Sequence, residues 1–135
     1  MASNSPFRTS SDLVIQVLND TGIISTGEPI DPADFNTVND NLDSIFRKLA
    51  GLEIVFVADP QNIPGEWFKD LVSIVSGECG SLLGLVGNEL NDKINNGLGG
   101  APGTPVEIGA GTSAKSLKII TRGRPTYETQ RFLNF

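Results

Sequence analysis

Apolar positions recur along this chain at helical spacing in several separate stretches. Leu13, Val14, Val17 and Leu18 fall at i, i+1, i+4 and i+5, the pattern of one helix face. Ser10 or Ser11 is expected to cap that helix, and Asp12 stands in its first turn, where the helix dipole favours a carboxylate. Gly22 supplies the stop, because glycine takes the left-handed conformation past a helix end at little cost. The pattern predicts a helix over 11–21 behind a flexible leader at 1–9. A linker at 23–30 follows, with Ile23 and Ile24 packing on the core.

The second pattern is the clearest. Asp31 is a good N-cap, and Pro32 follows at the first helical position, where a missing N–H costs nothing. Phe35, Val38, Leu42, Ile45, Phe46 and Leu49 then repeat along one side, while Asn36, Asn39, Asp40, Asp43 and Arg47 occupy the other. A helix over 31–50, ended by Gly51, is expected. The run LEIVFV at 52–57 is short and β-branched, which suits a short strand or an extended segment. Asp59-Pro60 and Ile63-Pro64 bracket a turn-rich loop.

A third helix is expected over 64–84, with Glu66 in its first turn. Trp67, Leu71, Ile74, Val75, Cys79, Leu82 and Leu83 fall near one face. Its side chains should pack against Phe35, Leu42, Ile45, Phe46 and Leu49. Gly77, Gly80 and Gly84 lower helix propensity, and their small size allows a neighbouring helix to come close. Residues 86–98 suit a short helix anchored by Leu90 and Ile94, and 97–103 (GLGGAPG) reads as a flexible loop or hinge. Beyond it two readings stand. Thr104, Pro105 and Glu107 fit a capping box that would start a fourth helix, with Val106, Ala110, Ala114, Leu117 and Ile120 as its stripe. Alternatively the first of these residues are extended and the helix begins near Thr112. Gly123 and Pro125 end it, and the last residues read as an extended C-terminal arm with Tyr127, Phe132, Leu133 and Phe135 as anchors. The fold class is therefore mostly α: a small bundle of three to four helices over 10–121, one short extended segment, and an arm at 122–135.

Composition narrows the function classes. The 135 residues amount to one domain and can bury a core without staples. No run of residues approaches the roughly 18 apolar positions of a membrane span, and the start lacks the apolar stretch of a signal peptide. A soluble protein made in a cytoplasm is expected, with no membrane partner. The formal charge is −6, unevenly spread. Residues 1–70 hold eleven acidic and four basic groups, whereas 115–135 hold five basic groups and only Glu128. An acidic body disfavours tight non-specific DNA binding. The basic end is either a solvated terminus or a tail that docks on an acidic partner.

The sequence contains no histidine, which removes Ser-His-Asp and Cys-His catalysis and most zinc sites. Cys79 falls on an apolar face and reads as a buried structural thiol rather than a nucleophile. GAGTSA at 109–114 matches the dinucleotide fingerprint in letters, but too little chain follows for a second strand and a ribose-binding acid. Carboxylate pairs such as Glu66 with Asp70, or Asp40 with Asp43, usually mark a solvated helix face. No catalytic residue, cofactor or metal is expected.

The order of features resembles the head-to-tail adaptor family of tailed bacteriophages, in particular the tail accessory factor of short-tailed phages. The likeness rests on the capped Ser11-Asp12-Leu13-Val14 helix with Leu18-Asn19 and Gly22-Ile23. It continues through the acidic helix of Phe35, Val38-Asn39, Leu42 and Ile45-Phe46, and through the loop Val57-Ala58-Asp59-Pro60-Gln61-Asn62-Ile63-Pro64 before the long third helix. It covers residues 10–85, and more weakly 104–122. Two departures stand out: 86–103 is longer and richer in glycine than in the family, and the arm is short.

The resemblance implies a structural virion protein at the head-tail junction. It would form a homo-oligomeric ring, usually of twelve copies, beneath the portal protein and above tail or nozzle proteins, with genomic DNA passing through unread. It implies a portal-binding arm carrying Arg122, Arg124, Tyr127, Arg131, Phe132, Leu133 and Phe135. Channel-facing acids at Asp34, Asp40 and Asp43 would suit the wall of such a ring. The rival classes are a phage-associated peptidoglycan hydrolase, with Glu66 or Glu78 as the acids to test, and a generic helical interaction module.

Overall fold

In the computed structural model, which describes residues 7–25 and 27–122, the first helix, α1, spans Ser10–Asp20. Its cap is Thr9 rather than either serine. The Thr9 hydroxyl accepts from the Asp12 N–H and the Asp12 carboxylate accepts from the Thr9 N–H, both at 3.2 Å, a complete capping box. Ser10 is buried and its hydroxyl accepts from Gln61 Nε2 at 2.9 Å. Just before the helix, Phe7–Arg8 form a two-residue strand, β1, antiparallel to β2 at Ile63–Pro64. These two residues of the expected leader are therefore part of the fold.

Helix α2 spans Pro32–Gly51 as the pattern predicts, and the Asp31 carboxylate accepts from the Ala33 N–H at 2.9 Å. Val38, Leu42, Ile45, Phe46 and Leu49 are buried, and Phe35 packs partly buried beside them. Gly51 remains helical. The terminating left-handed residue is Glu53, at φ 59°, which lets the Ile54 N–H donate to the Leu49 carbonyl and its own N–H to Ala50. Of the run 52–57, Ile54 and Val55 enter the core while Phe56 stands 71% exposed. These residues have no ladder partner, so the segment is the extended alternative without a strand.

Helix α3 spans Gly65–Cys79 and stops short of the expected end. A turn of 3₁₀ helix follows at Ser81–Leu83, and Gly84 at φ 93° closes it: the Leu85 N–H donates to the Gly80 carbonyl at 2.9 Å. Leu82 consequently points outward, 58% exposed, although it continues the apolar spacing. α3 is the hub of the fold and touches all four other helices. Leu71, Ile74, Val75 and Cys79 are fully buried and join the α2 side chains in one core, as the pattern predicts.

Helix α4 spans Gly87–Asn96, with Leu90 and Ile94 half-buried against the bundle. It crosses α3 closely at Gly77, as the small residues lead one to expect. Helix α5 spans Thr112–Arg122, which selects the second of the two readings for that region. Thr104 does not cap a helix: its hydroxyl donates to the Ala101 carbonyl at 2.7 Å. Ala114 and Leu117 are fully buried, but Ile120 is 40% exposed, so the buried stripe ends a turn earlier than expected. The described residues thus form five helices and a two-stranded ladder.

The glycine-rich segment 97–103, expected as a hinge, is a packed junction at its N-terminal half. Gly97, Leu98 and Gly99 are buried. The Leu98 carbonyl accepts from the N–H groups of both Gly109 and Gly111, and the Gly97 carbonyl accepts from Ala114 at the start of α5. A Cβ at Gly97 would stand 2.6 Å from the Ser73 carbonyl oxygen and 2.7 Å from Ile74 Cα. Here glycine serves close backbone approach, which local sequence reading does not separate from flexibility.

Candidate functional site

The acidic face singled out in the sequence is a real surface feature. On α2, Asn36, Asn39, Asp40, Asp43 and Arg47 are all exposed, opposite the buried stripe. The Asp43 carboxylate pairs with Arg47 Nε at 3.1 Å, one turn on, and both side chains remain largely in water. The helix is held rigidly from behind by α1 and α3, so this face is a fixed outer wall of the molecule. Asp34 does not belong to it. It is half-buried in the first turn of α2, about two and a half turns before Asp43 and so on the other side of the helix. There it complements the helix dipole instead.

The expected arm begins where α5 ends. Arg122 is the last helical residue, and its side chain lies outside the described residues, as do Arg124, Tyr127, Arg131, Phe132, Leu133 and Phe135. What the structure does show is the base of the arm. The Thr121 hydroxyl donates to the Ile54 carbonyl at 3.1 Å, which pins the last turn of α5 to the loop after α2. Beside that bond opens a groove of about 330 Å³ lined by Ala50, Ile54, Val55, Phe56, Trp67 and Thr121. The apolar spacing places Trp67 with the buried face of the third helix and gives no sign of this groove. A partial signal lies elsewhere: the run 52–57 carries apolar side chains at five of six positions, more than one face can bury, and Phe56 is the one left outside.

A second, more polar cleft of about 500 Å³ lies between α1 and α3, with Arg8, Asp20, Phe68, Lys69, Asp70 and Ser113 among its walls. Most of its charges are engaged within the fold. Arg8 stacks on the Phe68 ring at 4.1 Å and reaches Asp12 at 3.6 Å; Lys93 Nζ binds the Asp20 carboxylate at 3.1 Å; Asp70 accepts from Ser116 Oγ at 2.9 Å. These contacts tie β1, α4 and α5 to the α1–α3 pair.

The residues named for the hydrolase reading do not converge. Glu66 is exposed at the start of α3, while Glu78 at its far end is bound to Lys48 Nζ of α2 at 2.7 Å. Cys79 is fully buried, and burial, then the nearby Glu78 charge, push its thiol up to about 11. Four of the six N–H groups of GAGTSA are already used within the fold: those of Gly109 and Gly111 donate to Leu98, that of Ala110 to Glu107 and that of Ala114 to Gly97. Among the described residues there is no cluster of three or more metal-ligating side chains, and no helix long and apolar enough to cross a membrane.

Comparison with known protein families, with curated proteins and with solved structures finds no match for this chain.

Proposed function

We propose that the chain is a structural adaptor of a tailed bacteriophage. In this reading it forms a homo-oligomeric ring beneath the portal, joins the DNA-filled head to the tail, and lines the channel through which DNA leaves. The observation that carries the proposal is the outward face of α2, with Asp40 and Asp43 on a helix of 20 residues held rigidly by the core. Such a wall repels a passing polyanion and so lets DNA slide without sticking. The charge layout supports the same reading, since the basic end follows directly on α5 while the body is acidic.

The arm at 122–135 is the proposed portal contact. Tyr127, Phe132 and Phe135 offer aromatic anchors with few rotatable bonds, and Arg131 offers a bidentate partner for a carboxylate. Repetition around a ring turns a weak contact per subunit into firm attachment. Native mass spectrometry of the protein mixed with the portal tests this. A ring of adaptor subunits on the portal is expected, and deleting 126–135 abolishes it while the far-ultraviolet circular dichroism stays helical. Failure to see any adaptor–portal complex at micromolar concentration refutes the proposal. Clearing of a peptidoglycan suspension by the protein would favour the hydrolase class instead.

A further inference from the structure

The groove beside Thr121 has largely apolar walls, two of them aromatic side chains, Phe56 and Trp67. Phe56 is 71% exposed and Trp67 is half-buried. An exposed phenylalanine next to a half-covered indole is a surface that water disfavours, and small soluble domains generally cover such patches. We propose that this groove is the resting place of the chain's own C-terminal segment, with Tyr127 and the Phe132–Phe135 cluster as the side chains that enter it.

Three observations choose this occupant over another molecule. The first is position: Thr121 is itself part of the groove wall and is tied by its hydroxyl to the Ile54 carbonyl, so the chain leaves α5 at the groove's rim. The second is reach. From residue 123 to Tyr127 the extended chain covers at most about 14 Å, enough to return to a groove that begins two residues earlier. Gly123 suits a reversal after a helix end, and Pro125 then favours extended backbone before and after it. The third is complementarity. The thirteen residues 123–135 carry one tyrosine, two phenylalanines, a leucine and the basic Arg124 and Arg131, against a largely apolar groove on an acidic body.

Tethering settles the competition. A segment attached at the rim is present at an effective concentration in the millimolar range, so even a weak aromatic contact is occupied within one chain before a second molecule arrives at micromolar concentration. The docked segment covers Phe56 and Trp67 in the free protein and is displaced when its side chains are needed elsewhere. The inference concerns the free chain and does not rest on the adaptor reading, and its test requires no portal.

The chain supplies its own probes, because Trp67 is its only tryptophan and Tyr127 its only tyrosine. In the full-length protein, excitation of Tyr127 is expected to sensitise Trp67 emission, and Trp67 is expected to be shielded from acrylamide. Replacing Tyr127, Phe132 and Phe135 together by Ser should shift Trp67 emission to longer wavelength and raise its quenching to that of an exposed indole. Phe56→Ser, at a solvent-exposed position where folding is little affected, should weaken the energy transfer from Tyr127. The shielding should be unchanged on dilution from micromolar to nanomolar protein. Equal quenching in the parent and the triple variant overturns the proposal. So does shielding that disappears on dilution, which would assign the groove to a neighbouring copy's segment.

Discussion

Gly77 of α3 and Lys93 of α4 are in backbone contact: a Cβ on Gly77 would lie 2.7 Å from the Lys93 carbonyl oxygen and 2.9 Å from Ile94 Cα. Both obstacles are main-chain atoms of a helix, so they cannot turn aside as a side chain would. Lys93 in turn reaches back across the bundle, its Nζ binding the Asp20 carbonyl at 2.9 Å and the Asp20 carboxylate at 3.1 Å. One small residue thus sets the distance at which α4 clamps the end of α1 onto α3.

Gly77→Ala should therefore destabilise, even though alanine is the better helix former. Relieving the clash requires α4 to move off α3, and overpacking of that kind costs about 1–3 kcal/mol. Gly51, at the end of α2, is the control. Nothing lies within 4 Å of its notional Cβ, so Gly51→Ala should be neutral or stabilise by up to about 1 kcal/mol from helix propensity. Urea unfolding of the two variants beside the parent decides it; equal midpoints for all three would mean that α3 and α4 do not touch at Gly77.

The same contrast explains how far the sequence could be read. The start and buried face of α2 were legible because Asp31, Pro32 and six spaced apolar residues are all local signals, but its stop was not, since Gly51 stays helical and Glu53 takes the left-handed turn. The buried face of α3 was legible for the same reason, but its end was not. Leu82 and Leu83 continue the apolar beat past Gly80, and only the left-handed turn at Gly84 shows that the helix has already stopped. β1 was hidden because its partner, Ile63–Pro64, lies far along the chain and a two-residue ladder leaves no alternation to read. Gly97 and Gly99 look like a hinge because flexibility and close approach call for the same residue. The outer acids Asp40 and Asp43 were visible as a polar face, whereas the groove at Trp67 was not, since it is built by residues from three separated segments.

Glu53 carries a local backbone cost. It holds φ 59° at the end of α2, a conformation that costs an L-residue roughly 1–2 kcal/mol and glycine almost nothing. Part of that relief is lost because glycine has more freedom in the unfolded chain. On the backbone balance alone, Glu53→Gly raises stability by about 0.5–1 kcal/mol, and contacts of the Glu53 side chain count against that gain. Thermal unfolding that shows a lower midpoint for the variant would mean that contacts of the Glu53 side chain outweigh its backbone strain.

Cys79 gives the fold an alkaline limit. Its thiol is pushed up to about 11 in the folded protein from an ordinary value near 9. The folded state thus retains a proton that the unfolded chain releases between those values, so stability is intact below pH 9 and falls as pH rises from 9 to 11. The loss at the upper end is on the order of 2–3 kcal/mol. Cys79→Ala should lose stability at neutral pH through its cavity but should flatten this alkaline slope. Urea midpoints measured at pH 7.5, 9 and 10.5 compare the two chains. A parent curve with the same slope as the Cys79→Ala curve would place the thiol outside the core.

The outer face of α2 can be tested without any partner protein. Asp40 and Asp43 are exposed, and the Asp43–Arg47 pair lies in solvent, so Asp40→Lys with Asp43→Lys should leave the unfolding midpoint close to the parent's. Each reversal adds two charges, which takes the formal net charge from −6 to −2. That change alone does not make the chain basic. If the face acts as a repellent wall, however, the reversal places two lysines where DNA would pass, beside Arg47 one turn on from Asp43. The doubly reversed protein should then retard duplex DNA in a gel at about 50 mM salt and release it as salt rises, because such binding is driven by counterion release. The parent should leave the DNA unretarded under the same conditions. As a control for position, Glu66→Lys with Glu89→Lys makes the same change in net charge at exposed sites on α3 and α4. If that control retards DNA as strongly as the α2 variant, net charge governs the effect and the α2 face has no special part in keeping DNA off the protein. If neither variant retards DNA while the parent also does not, acidic residues of α2 are not what excludes it.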